Sequence, residues 1–402
     1  MRFGALIIAL LIADCRWQID LPIQPHFINQ SALNSLTSAI PLASTERARV
    51  LSLANLYMTR VPETITASRA ARSAGGPHDL FSEGDYWWPD PAHPDGPYVR
   101  RDGESNPDNF VDHRRALVRF SVEVPALTAA WTLTSEDRYA AHARRHLRAW
   151  FVDPATRMTP SLEYAQAIRG IVTGRGTGII DTFHLVEVAR AIEVLRKGGA
   201  LPDGELQPIR AWFTEYIRWL TTHPYGIEER DAKNNHGTCW VMQVAAFASV
   251  TGDEAQKEMC RVRFKTVLLP TQMAADGSFP LELARTKPYG YSLFNLEAMT
   301  TICQILSTPS DNLWSYQLPD GRGMRKALEF IVPFIKDKTR WPHPRDVQYH
   351  DEWPMRHASL LFGSIALDQP PYLALWKTLE PDSKVEEVVR NFFIRQPLLW
   401  VN

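Results

Sequence analysis

The stretch Lys233-Asn234-Asn235-His236-Gly237-Thr238-Cys239-Trp240 places a cluster of polar side chains directly before the apolar run Val241–Val250 (VMQVAAFASV). This run carries no charged residue, which predicts a helix buried in the centre of the fold. Asn235 is predicted to cap that helix, which then begins at His236 or Gly237. The polar cluster would lie at the positive end of the helix dipole, where a carboxylate ligand is stabilised.

Helical periodicity continues on both sides of this stretch, whereas strand patterns are scarce and no short repeat is visible. The sequence therefore predicts an all-α fold, an α/α toroid (incomplete α/α barrel) rather than a solenoid. The candidate helices are roughly 44–57, 114–135, 136–151, 162–168, 182–197, 204–223, 235–249, 253–269, 292–306, 324–334, 355–365, 372–377 and 385–393. Between the first two lies a long irregular segment, Val61–Asp112, which we interpret as a lid-like loop with a function of its own.

The composition is that of a soluble globular protein, with 45% hydrophobic and 22% charged residues and a net charge of -1. A chain without a basic excess is not attracted to nucleic acid in bulk. Arg2 and the apolar run Phe3–Ala13 resemble a signal peptide, and no other stretch is apolar enough to cross a membrane. We therefore expect a signal peptide at 1–13, a linker at 14–43 and one toroid domain at 44–402 of a secreted (extracellular or periplasmic) monomer.

A second polar cluster follows the apolar run, and it brings Arg285, Lys287, Tyr289 and Tyr291 next to a turn rich in Pro and Gly. Arginine can hold a carboxylate through two parallel hydrogen bonds, and a tyrosine near a cation can supply or accept a proton. The structural alternative is that Arg285 pairs with Glu282 at the surface and the tyrosines only pack. In the same way, Asn234 and Asn235 could serve only as caps, with His236 a hydrogen-bonded core residue.

A third cluster lies in the irregular segment, where Trp87 and Trp88 stand among prolines and acidic residues. Exposed tryptophans stack on sugar faces, which makes Trp88 a candidate for substrate binding. The alternative is a Trp-Pro plug that seals one end of the helical barrel.

Three segments taken together, Gly84–Pro91 (GDYWWPDP), Asn234–His236 (NNH) and Leu281–Arg285 (LELAR), resemble the alginate lyase superfamily of polysaccharide lyases. The resemblance runs from about Ala67 to Leu361 and implies an α/α toroid that cleaves uronic-acid polymers. It also implies catalytic roles for Asn235, His236, Arg285 and a downstream tyrosine, Tyr291 or Tyr289. The stretch Thr286–Tyr291 (TKPYGY) departs from the alginate-specific branch, which has an R-A-L stretch and a Tyr-His pair, and is closer to lyases of glucuronan or mixed uronans.

The resemblance implies β-elimination of a 1,4-linked uronate. Asn235 and Arg285 would neutralise the substrate carboxylate, His236 would remove the C5 proton, and Tyr291 would protonate the leaving oxygen, with Tyr289 in reserve. For mannuronate or glucuronate, one tyrosine could instead act as base and acid in turn, with His236 assisting. Asn234 would be structural, and the reaction needs no cofactor.

Other polar residues are candidates for sugar binding. Gln166 and His184 flank the Gly-rich turn Gly174–Gly178, and Tyr289 lies beside the proposed acid. A buried pair bracing the barrel is the alternative for Gln166 and His184. The turn lacks the spacing of a dinucleotide site, and the seven-residue spacing of His343, His350 and His357 does not match a metal site.

Two competing functions stay open on the sequence. A glycoside hydrolase on the same fold would use paired carboxylates such as Asp85 and Glu282. A non-catalytic relative would only bind carbohydrate.

Overall fold

The computed structural model describes residues 43–401. The predicted signal peptide and, apart from residue 43, the predicted linker lie outside the described residues. Within residues 43–401, no helix is both long and apolar enough to span a bilayer.

The predicted all-α fold is confirmed, because helices account for nearly all of the regular structure. They are α1 (Ala43–Tyr57), α2 (Asp112–Thr134), α3 (Asp137–Phe151), α4 (Leu185–Lys197), α5 (Asp203–Thr222), α6 (Pro224–Arg230), α7 (Asn235–Thr251), α8 (Glu254–Arg263), α9 (Leu269–Gln272), α10 (Pro280–Leu283), α11 (Pro288–Leu306), α12 (Met324–Lys336), α13 (Ala358–Ala366), α14 (Pro370–Thr378) and α15 (Glu386–Asn391). A π-helical turn, Phe264–Leu268, joins α8 to α9. Helices that are close in sequence pack side by side, as α2 does with α3 and α13 with α14.

Helix α7 lies at the centre of this packing, in contact with α4, α5, α8 and α11. Its side chains from Gly237 to Ala248 are buried on every side, as the apolar sequence predicts. The helix ends at Thr251 and is capped by Gly252, whose backbone is left-handed (φ 77°) and whose N–H donates to the Ala248 carbonyl. Because neighbouring helices surround α7, its first residues are held in a fixed position.

The predicted helix at 162–168 is wrong. Tyr164–Ala167 is instead a strand, β4, which pairs in parallel with β1 (Phe81–Glu83). A seven-residue segment is too short for a stable isolated helix, so a partner strand from the irregular segment decides its conformation. A second small ladder joins β2 (Trp87–Trp88) to β3 (Val99–Arg100) in antiparallel register.

Candidate active site

A cleft of about 440 Å³ opens at the N-terminal end of α7, within the size range of small-ligand sites. The walls come from the irregular segment, the region around β4, the end of α6 with the turn and the start of α7 that follow it, the turn before α11 with the first residues of α11, and the end of α15. The lining side chains with a polar or aromatic group include Tyr86, Trp87, Arg100, Gln166, Arg175, Glu229, Asn235, His236, Arg285, Tyr291 and Arg390.

The helix cap at the start of α7 is Asn234, not Asn235 as predicted. The Asn234 side-chain oxygen accepts the N–H of His236, and Asn235 is already the first helical residue. The turn between α6 and α7 is tight: a Cβ at Gly237 would lie 2.1 Å from the Ala232 carbonyl oxygen, so only glycine lets the two segments approach. Asn234 is thus structural, and the carboxamide of Asn235 remains available to the cleft.

Asn235 is held by the buried carboxylate of Glu282. The backbone N–H of Asn235 donates to Glu282 Oε1 at 2.7 Å, and its Nδ2 donates to Oε2 at 2.6 Å. Because Nδ2 carries two hydrogens, one remains for a ligand after this bond. Burial raises the pKa of Glu282, while the two Asn235 hydrogen bonds oppose that shift.

His236 is held in the same way by a second buried carboxylate. Its Nδ1 lies 2.7 Å from Glu229 Oε1, and the Glu229 side chain is 3% exposed. Glu229 belongs to α6, whose first residue is Pro224 and whose cap is His223. The imidazole itself borders the cleft.

Arg285 is clamped by Asp102 from the irregular segment. Its Nε and Nη2 donate to the two Asp102 oxygens at 3.0 and 2.7 Å, and Thr286 Oγ1 also donates to Asp102. Burial opposes ionisation of Asp102, but the hydrogen bonds and charge of Arg285 outweigh it and lower the pKa of Asp102. Among the described residues, Nη1 has no hydrogen-bond partner and is therefore available to a ligand.

Tyr291 contacts both Arg285 and Tyr86, a residue of the irregular segment. Its hydroxyl lies 2.7 Å from the hydroxyl of Tyr86 and accepts a hydrogen bond from Arg285 Nη2 at 3.3 Å. The guanidinium also lies over the Tyr291 ring, 4.4 Å from its centre. Burial and the neighbouring Tyr86 raise the pKa of Tyr291 well above its usual value, although Arg285 opposes this shift.

Tyr289 occupies a different place from Tyr291. It is fully buried, its hydroxyl donates to the Phe334 carbonyl at 3.2 Å, and its ring packs against Trp341. Since α11 begins at Pro288, residues 289 and 291 point in different directions from the helix axis. The structure thus brings Asn235, His236, Arg285 and Tyr291 to the cleft and leaves Tyr289 in the core.

The other predicted sugar-binding residues are divided in the same way. Gln166 borders the cleft, where its Oε1 accepts from Arg175 Nη2 at 2.7 Å. His184 is 1% exposed, its ring packs at a tilt against that of Phe183, and it is not among the residues that line the cleft. Trp88 is turned away, with its Nε1–H donating to the Glu104 carbonyl and Arg101 over its ring. Its neighbour Trp87 lines the cleft instead, because successive strand residues face opposite sides.

The carboxylates suggested for a hydrolase are both fully engaged. Asp85 forms ion pairs with Arg114 and Arg390, and although burial opposes it, their charges lower the pKa of Asp85 to about 2. A carboxyl group with so low a pKa cannot act as a general acid at neutral pH. Glu282 is occupied by Asn235.

We expect Glu282→Gln to impair both stability and turnover. A glutamine has only one acceptor oxygen, so one of its own N–H groups would face a donor of Asn235 in a buried site. The free energy of unfolding should fall by about 1–3 kcal/mol, which thermal or chemical denaturation would measure. The control is Glu254→Gln at a side chain that is 76% exposed, which should leave stability almost unchanged; an equal loss in both variants would contradict the assigned role of Glu282.

Comparison with known proteins gives a consistent result. A family model described as Alginate lyase matches residues 64–341. The structure of an alginate lyase from Bacteroides ovatus is 31% identical to this chain in sequence. The alignment covers 93% of this chain and 98% of the Bacteroides ovatus chain, with a TM-score of 0.80. No curated protein matches the sequence significantly.

Alginate lyase A1-III from Sphingomonas species A1 is a more distant structural match. The apo form of a histidine-to-alanine variant is 14% identical, covering 88% of this chain and 94% of its own at a TM-score of 0.53. The same variant complexed with a tetrasaccharide is 15% identical, covering 78% and 84% at a TM-score of 0.50. At these identities the likeness shows the α/α toroid fold alone.

Proposed function

Because this chain belongs to the alginate lyase family and is a polysaccharide lyase, we propose that it cleaves a 1,4-linked uronic-acid polymer by β-elimination. The observation that carries the proposal is that Asn235, His236, Arg285 and Tyr291 border one cleft, although they come from two distant segments. Elimination needs a carboxylate neutraliser, a base and an acid, and this set contains each of them.

Neutralisation of the substrate carboxylate is assigned to Asn235 and Arg285. The C5 hydrogen is only weakly acidic while the adjacent carboxylate is fully charged, so donors to its oxygens stabilise the charge that develops on proton removal. The remaining Nδ2 hydrogen of Asn235 and the Nη1 group of Arg285 can supply such donors. Their anchors, Glu282 and Asp102, hold them in place before the substrate arrives.

Proton transfer is assigned to His236 and Tyr291. His236 takes the C5 proton, the electrons of the C5–H bond form the C4–C5 double bond, and the C4–O4 bond breaks. Tyr291 gives its hydroxyl proton to the departing O4. A tyrosine with a raised pKa is protonated at neutral pH, which favours the acid role for Tyr291 over the base role.

For the substrate we propose alginate (polymannuronate) or glucuronan, with the Thr286–Tyr291 stretch favouring glucuronan or a mixed uronan. In this stretch Thr286 contacts Asp102, and Lys287 lies over the rings of Tyr86 and Tyr349. The Thr286–Tyr291 stretch therefore contacts the residues that surround the proposed acid, Tyr291. We also propose that the chain is secreted, since a polymer substrate is met outside the cell, and that it acts as a monomer.

A panel of alginate, polymannuronate and glucuronan tests the proposal. Each elimination creates one reducing end and one double bond conjugated to a carboxylate, so ultraviolet absorbance should rise in step with reducing ends on at least one polymer. Reducing ends without absorbance would indicate hydrolysis. Binding without any product would indicate a non-catalytic relative.

A further inference from the structure

We infer that Glu229 is a positioning residue for the base: it fixes the His236 ring so that Nδ1 carries the proton and Nε2 faces the substrate as the acceptor. The inference rests on the proposed function, because it assigns His236 a direction for proton removal. It concerns a residue outside the N-N-H and L-E-L-A-R motifs.

The geometry leaves one ring nitrogen for chemistry. Nδ1 of His236 lies 2.7 Å from Glu229 Oε1, at the distance of a charge-assisted hydrogen bond. Within residues 43–401, Nε2 makes no hydrogen bond, and the ring is partly exposed at the cleft wall. A carboxylate on one nitrogen orients the ring and stabilises the positive charge that forms when the other nitrogen takes a proton.

Glu229 is fixed well enough for such a role. It is buried, lies on α6 and is separated from His236 by the short turn in which Asn234 caps α7. Burial raises the pKa of Glu229, and the charge and hydrogen bond of His236 oppose that shift. The other titratable groups around the pair are Glu228, Asp181, Arg175, Tyr216, Cys239 and Glu282.

Two arrangements of the shared proton have opposite consequences. If Glu229 is ionised, Nδ1–H donates to it and Nε2 is free to accept the C5 proton. If Glu229 is protonated, its O–H donates to Nδ1 and Nε2 carries the ring hydrogen. Nε2 then cannot act as a base. The geometry points to the first arrangement, because the 2.7 Å hydrogen bond between Nδ1 and Oε1 and the charge of His236 oppose the rise in the pKa of Glu229 that burial and the nearby carboxylates of Glu228 and Asp181 cause.

Glu229→Gln tests the inference kinetically. Glutamine keeps an acceptor for Nδ1–H but removes the negative charge, which favours the neutral ring. On the polymer that the wild type cleaves, kcat should fall by about 10- to 100-fold with little change in KM. The acidic limb of the kcat–pH profile should move to lower pH.

Glu228→Gln is the control, because it makes the same charge change one residue away. It should move the acidic limb much less. In Glu229→Gln, a limb at the wild-type pH with kcat within about twofold would overturn the inference.

Nitrogen-15 NMR of the histidine-labelled wild-type protein tests the same point without a variant of Glu229. The His236 signals, assigned by their loss in His236→Asn, should show a protonated Nδ1 and a bare Nε2 at neutral pH. A bare Nδ1 with a protonated Nε2 would overturn the inference. This readout needs no substrate, so it stands apart from the proposed function, which fails if no uronan gives an unsaturated product.

Discussion

Replacement of Tyr291 by phenylalanine is expected to lower kcat by about 10²- to 10⁴-fold, the range for loss of a general acid. The hydroxyl of Tyr291 is hydrogen-bonded to the Tyr86 hydroxyl and to Arg285 Nη2, and the substitution removes this proposed proton donor. Binding of an oligosaccharide should be largely retained, since phenylalanine keeps the ring under the Arg285 guanidinium. Turnover by ultraviolet absorbance and binding by calorimetry measure the two effects.

Tyr289→Phe is the matched control, two residues away on the same helix. It removes a buried hydroxyl that donates to Phe334, so we expect a loss of stability of about 1 kcal/mol and near-normal turnover. If Tyr289→Phe were inactive and Tyr291→Phe active, the assignment of the acid would be wrong.

Replacement of Arg285 by lysine is the second change with a large expected effect. Lysine keeps a positive charge but cannot form the side-on pair with Asp102 and also direct a donor into the cleft. We expect kcat/KM to fall by about 10²- to 10³-fold, as when one donor to a developing oxyanion is lost. Steady-state kinetics on the most active polymer measure this loss.

Arg115→Lys is the control for this change. Arg115 makes a comparable two-pronged pair with Glu386, at an exposed position away from the cleft. Near-wild-type kcat/KM is expected for it. Wild-type kinetics in Arg285→Lys would show that the guanidinium does not contact the reacting carboxylate.

The helical centre of this fold could be predicted from sequence because its signal is local. The apolar run Val241–Val250 has no polar face, and such a run is stable only when other helices surround it. The motif residues Asn235, His236 and Arg285 were also visible, each as an unusual polar group beside a helix start. The short strand at Tyr164–Ala167 was not, because its conformation depends on Phe81–Glu83, far away in the chain.

The groups that hold the motif residues in place could not be predicted for the same reason. Asp102 lies 183 residues from Arg285, and Glu282 lies 47 residues from Asn235. The sequence around an acidic residue in a helix or loop does not indicate which distant residue its carboxylate will contact. The choice of Trp87 over Trp88 depends on which side of β2 faces the cleft, and a shift of one residue reverses that choice.

The central claim is that the polymer is cut by elimination, and the oxygen atoms of the products test it most directly. Cleavage in water enriched in heavy oxygen, followed by mass spectrometry, distinguishes the two bond-breaking reactions. Elimination adds no water, so we predict fragments that lack solvent oxygen and carry an unsaturated, water-deficient uronate at the new non-reducing end. Fragments that incorporate heavy oxygen at the cleavage site, with both sugars saturated, would show hydrolysis and contradict the account.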